Sequence, residues 1–190
     1  SSGATLSSLF KPSRHGDFIF PCRCPQKPEY ARGGVADEEV LTLDVFKGTV
    51  EVMLSDDFLS LDEKRLIIKL ANQLGLEPDE PGKVYNAIRE GEEISGGRSM
   101  SKGECIRVFT RVYEVALVNE SVSIDEENVL AHLRHHLNIE NDDYEQVVDG
   151  LKKIITERYD DNVVGLMLNT LSDSVTLVGR LFDGVRTKNA

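Results

Sequence analysis

A chain of 190 residues, 40% apolar and 29% charged, can close one compact domain or two small ones and is not the composition of a disordered polymer. Its net charge of −11 excludes a body built to hold nucleic acid or an anionic membrane. Trp is absent and aromatics are only 6%, which argues against stacking on bases or sugars, and no stretch is apolar enough to span a bilayer.

Residues 1–36 read as an extended arm. Pro12, Pro21, Pro25 and Pro28 interrupt it and Gly33-Gly34 closes it. Five basic residues (Lys11, Arg14, Arg23, Lys27, Arg32) stand against Asp17 and Glu29, about +3, which leaves about −14 for the rest. Such a segment gains order only where something covers it, and the apolar Phe18, Ile19 and Phe20 are the expected anchor on a protein partner. Cys22 and Cys24 with His15 form an incomplete zinc set. With Cys105 the cysteines number three, which predicts no disulfide framework and a reducing compartment, cytoplasm or organelle. A chain that starts at Ser1 rather than Met reads as a processed or trimmed product, as after removal of a targeting peptide.

From Asp37 the pattern changes to a helical period. Leu43, Phe46, Val50 and Met53 predict a helix over about 38–55, with Asp37 as N-cap. Leu66, Ile67, Leu70 and Leu74 form a second stripe, stopped by a left-handed Gly75. Pro81 opens a short helix over 81–90. "GEEISGGRSM" reads as a polar linker.

A shift of 63 residues lays "EVMLSDDFLSLDEKRLIIKLANQLGLEPDE" on "EVALVNESVSIDEENVLAHLRHHLNIENDD" without a gap. Identities include Ser60/Ser123, Asp62/Asp125, Glu63/Glu126, Leu70/Leu133 and Leu74/Leu137. Asn138 replaces Gly75 as the next-best residue for the same left-handed stop. An unbroken register through helices and loops alike is an internal duplication. The second copy then predicts helices over 101–118, 123–137 and 142–158. The expected fold is all-α: two pseudo-symmetric three-helix repeats (37–95 and 101–159) that bury each other's apolar stripes in one domain, 37–159.

Residues 160–190 form the third part. Val164, Met167, Leu168, Leu171, Val175, Val178 and Phe182 step by three and four along an amphipathic helix of about five turns. Two roles fit it: a last helix packed on the domain, or a docking helix for another chain.

Ser60-x-x-Glu63, Ser101-x-x-Glu104 and Ser123-x-x-Glu126 are capping boxes. They account for Ser, Asp and Glu at the start of each second helix. They do not account for Asp56, Asp57, Asn119 and Glu120, which end the preceding helices where the dipole disfavours acids. Asp56, Asp57, Asp62 and Glu63 in one loop, and Asn119, Glu120, Asp125 and Glu126 in the other, present oxygen ligands of the type calcium or magnesium takes. The other reading is a solvated acidic turn. The spacing is too short for an EF-hand.

"VMLSDDFLSLDEKRLIIKLANQLGL" resembles the repeating element of the TerB-like (tellurite-resistance) family: a helix end, a short turn with an apolar and a small polar residue, and an acid opening the next helix. Asp56, Leu59, Ser60 and Glu63 fill those places, as do Asn119, Val122, Ser123 and Glu126 in the second copy. The resemblance covers about 40–155. It implies an all-α fold of two similar halves, a non-enzymatic protein and an acidic surface for divalent cations. The family's small residues at the helix end are here Leu54-Ser55 and Leu117-Val118, and its glycine after the acid is Asp57 or Glu120.

His132, His135 and His136 lie within one helix and offer either an incomplete zinc set or a polar face. Cys105, opening a helical stripe, reads as a small core residue. No nucleophile motif, phosphate loop or dinucleotide fingerprint is present. The function expected from these features is a non-catalytic helical interaction protein. It would be an accessory or assembly subunit of a larger complex that meets its partners through the arm and the last helix, any membrane association being indirect. The alternative is a calcium- or magnesium-binding module using the two acidic loops. An enzyme of unrecognised type would first need a buried polar pocket.

Overall fold

A computed structural model of the chain describes residues 39–55, 59–118 and 121–188, all within one compact unit, Glu38–Ala190. The arm, Asp37 and the residues Asp56, Asp57, Asn119 and Glu120 lie outside the described residues. The described chain is all-α apart from one two-stranded ribbon. Its elements are β1 (Val40–Leu41), α1 (Thr42–Met53), α2 (Leu61–Leu74), α3 (Glu80–Glu90), β2 (Ser99–Met100), α4 (Lys102–Leu117), α5 (Ile124–His136), α6 (Asn141–Arg158) and α7 (Asp161–Lys188).

The three capping boxes form as the sequence dictates. Ser60, Ser101 and Ser123 each accept from the backbone N–H of Glu63, Glu104 and Glu126, and each glutamate accepts from its serine N–H in return. Ser60→Ala and Ser123→Ala should each lower stability by about 1 kcal/mol in urea denaturation, by the loss of one cap; a change below the error of the measurement would assign those helix starts to packing alone. The left-handed stops are also where expected, with φ 69° at Gly75 and φ 51° at Asn138.

The start of α1 differs from expectation. The helix begins at Thr42, not near residue 38, because the supposed linker caps it. Arg98 and Gly96 carbonyls accept from the N–H groups of Thr42 and Leu43, Thr42 Oγ1 accepts from the Arg98 N–H, and Asp44 Oδ1 accepts from the Gly96 N–H. Val40–Leu41 then pair antiparallel with Ser99–Met100, and Met100 is buried. This strap can lie so close only because Gly97, at φ 88°, has no Cβ to strike Thr42 Oγ1.

Helix pairing is reciprocal between the two sequence copies. α1 packs on α5 and α2 on α4, while α1 also packs on α3 and α4 on α6. The predicted stripes meet in one core: Phe46, Val50, Leu66, Leu70 and Leu74 from the first copy with Phe109, Leu130, Leu133 and Leu151 from the second. Cys105 is buried in it.

α7 lies on α5, α6 and α4 of the same chain. Leu171, Val178 and Phe182 are buried, and Val164, Leu168 and Val175 are half-buried against the same core. These side chains are therefore covered within the chain while α7 keeps its seat.

Candidate functional site

Two concave surfaces, one apolar and one polar, bear on function. The first is an apolar groove of about 250 Å³ on the first sequence copy. Phe46 and Val50 of α1 form its floor, Ile67, Ile68 and Lys64 of α2 one wall, and Pro81 and Tyr85 of α3 the other, with Leu59 at one end. Ile68 is 63% exposed and Tyr85 37%. The sequence carried a signal for it that a single-stripe reading passes over. Leu66-Ile67-Ile68 are three consecutive apolar residues, so the greasy arc of α2 is wider than the face that α4 covers.

The 63-residue shift gives this groove a counterpart. Phe46, Val50, Lys64, Ile68 and Pro81 correspond to Phe109, Tyr113, Glu127, Ala131 and Tyr144. Those five residues lie on α4, α5 and α6, the helices α7 covers, and all are buried. Ser174 of α7 sits 2.8 Å from the Tyr113 hydroxyl and hydrogen-bonds Glu127. The Tyr144 hydroxyl lies 3.4 Å from that of Tyr113. Burial raises the pKa of Glu127 and of both tyrosines.

Arg134 completes the α7 seat, and no local pattern in the sequence marks it. Its guanidinium is buried between the Tyr144 ring of α6 (4.1 Å to the centroid) and the Phe182 ring of α7 (3.8 Å). Its Nε donates to the Ile139 carbonyl at 2.9 Å and its Nη2 to Asn141 Oδ1 at 2.7 Å. In the first copy the corresponding residue is Ala71.

The second surface is a polar concavity of about 240 Å³ between the starts of α2 and α5, lined by Ser55, Glu63, Asp125, Asn128 and His132 over Val52, Met53 and Val129. The predicted cation ligands divide here. Glu63 and Glu126 cap their own helices, and Asp62 pairs with Arg65 at 3.0 Å. Asp125 is exposed. Glu126 is buried with Oε1 lacking any hydrogen-bond partner. Burial raises its pKa, against the lowering by its Ser123 hydrogen bonds, and the charges of Asp62 and Glu63 add to the rise. Among the described residues no three His, Cys, Asp or Glu side chains converge to hold a metal ion. His132 lines this concavity, whereas His136 packs on Gly48 of α1 with the His135 ring 5.7 Å from its own.

Compared with family models, curated proteins and solved structures, the chain matches none. Among the described residues no helix is long and apolar enough to cross a membrane.

Proposed function

We propose that this chain is a non-catalytic helical interaction protein, an accessory or assembly subunit whose docking surface is the apolar groove between α1, α2 and α3. One observation carries the reading: the corresponding surface of the second copy is filled by a helix of the chain itself, and the first is open. A groove with a 63%-exposed Ile and a half-exposed Tyr on its walls gains by covering apolar area, at roughly 25 cal/mol per Å². The TerB-like resemblance belongs to this proposal, supported by the loop motif and the reciprocal helix pairing. The arm remains a further contact for a partner through Phe18, Ile19 and Phe20.

The two surfaces respond differently to the same change. Ile68→Asp should leave stability within about 0.5 kcal/mol of the parent, because the side chain faces water. Ala131→Asp, which puts a carboxylate under α7, should cost about 3 kcal/mol or more. The reading itself is tested by selecting amphipathic helical peptides from a displayed library on the intact chain. Binders lost with Ile68→Asp support it; a selection that yields none ends it.

A second reading, a calcium- or magnesium-binding module, is favoured by the unpartnered Glu126 Oε1, on which the charges of Asp62 and Glu63 also act. The described residues alone do not complete a site, so it depends on Asp56, Asp57, Asn119 and Glu120 as well. Glu126→Gln separates the two readings. A raised carboxyl pKa means the folded state binds the proton more tightly than the unfolded one. The cost of the charge is then full above the folded pKa and gone below the ordinary glutamate value. Without a cation, Glu126→Gln raises the melting temperature at pH 7 and the gain disappears near pH 4. If the site takes a cation, calorimetry with calcium or magnesium gives heat that the variant abolishes. No heat with either ion removes this reading.

A further inference from the structure

We infer that the occupant of the open groove is one amphipathic α-helix of a protein partner, bearing an acidic side chain where α7 bears Ser174. This rests on the interaction reading above and narrows it to a chemistry.

The seat of α7 shows what such a surface holds: a helix whose apolar residues recur at three- and four-residue steps, with one polar side chain inward. Ser174 is that side chain, 1% exposed. It donates to Glu127 while Tyr113 donates to it, so the second copy reads a hydroxyl with one acid and one phenol.

In the first copy the corresponding groove is more apolar and its one charge is reversed. Val50 stands for Tyr113 and Pro81 for Tyr144, removing both phenols, and Lys64 stands for Glu127. A helix entering here meets an ammonium where α7 meets a carboxylate. Lys64 is also a cation in the lining of this groove. Arg65 pairs with Asp62 and Lys83 with Asp79, whereas among the described residues no carboxylate pairs with Lys64. A carboxylate brought into a partly desolvated groove beside that ammonium gains a charge-assisted bond and sets the register.

The same comparison disfavours the occupants nearest to hand. α7 of a second copy brings a neutral Ser174 and already has its stripe buried. The arm carries four prolines, which unfit it for a helix. With Ala71 in place of Arg134, no cation waits to be sandwiched by an aromatic from the partner.

The test uses the library of amphipathic helical peptides selected on the intact chain, then on its Ile68→Asp and Lys64→Glu variants, with the melting curve of each variant as a folding control. The expected result is a set of binders weakened at least about tenfold by Ile68→Asp. They should show Asp or Glu enriched at one inward position, and Lys64→Glu should reverse that preference to Lys or Arg by about tenfold. Groove-dependent binders with no charge preference, or with one that Lys64→Glu leaves unchanged, overturn this inference and leave the interaction reading standing. An absence of groove-dependent binders overturns both. An Ile68-dependent dimer of the full chain in sedimentation names a second copy as the occupant. Binding that rises about tenfold on Phe18→Asp or Phe20→Asp names the arm. Either result overturns the inference.

Discussion

Arg134→Ala should lower stability by about 3 kcal/mol and free α7. Three losses combine. The guanidinium leaves a cavity between the Tyr144 and Phe182 rings, the Ile139 carbonyl and the Asn141 amide lose their donor, and the cation–π contacts vanish. Recovery of the desolvation cost of a buried cation works in the other direction, and it is what keeps the figure below the sum of the losses. Arg134→Lys recovers less than half of it. An ammonium is a point donor that cannot stack flat between two rings while forking to two acceptors. Urea denaturation gives the magnitude, and amide exchange along 161–188 gives the location. If α7 exchanges no faster in Arg134→Ala than in the parent, the bracket does not hold that helix and the contrast between the two grooves loses its cause.

The second large effect is acid lability at the crossing of α1 and α5. Desolvation by burial, aided by His135 and His132 and opposed by a hydrogen bond to the Gly48 backbone, pulls the His136 pKa down from the ordinary 6.5 to about 4. A base whose folded pKa is depressed must be charged on unfolding. Its contribution is therefore complete above pH 6.5 and lost as pH falls toward 4, on the order of 2–3 kcal/mol over that window. Gly48→Ala probes the cause. A methyl there runs into the imidazole of His136, so the ring must leave. Ala in a helix interior returns about 1 kcal/mol over Gly, whereas overpacking a crossing costs about 1–3 kcal/mol, and the clash prevails at neutral pH. The displaced ring enters water, so its pKa returns toward 6.5 and the acid slope flattens. NMR titration of the histidines reads both states. A His136 that still titrates near 4 in Gly48→Ala would falsify the account of its burial.

Much of the fold was legible because the signals are local. The stripe at Leu66, Leu70 and Leu74, and Leu133 and Leu137 matched to it, marked which helix faces turn inward. Ser60, Ser101 and Ser123 marked helix starts to the residue, and Gly75 and Asn138 marked the left-handed stops. The start of α1 was misjudged because its cap is not local. Its donors meet carbonyls of Gly96 and Arg98, more than fifty residues away, and no window around Asp37 contains that information.

What the sequence alone determined, then, is the all-α class, the set of helices and those of their ends that are capped locally, since period and caps are properties of neighbours along the chain. What only the tertiary structure decided is how the copies differ. One surface is covered by α7 and bracketed by Arg134, while its counterpart with Ala71, Ile68 and Lys64 is left open. Coverage is a property of side chains far apart in sequence, and a stripe of apolar residues reads the same whether its own chain or another is to bury it.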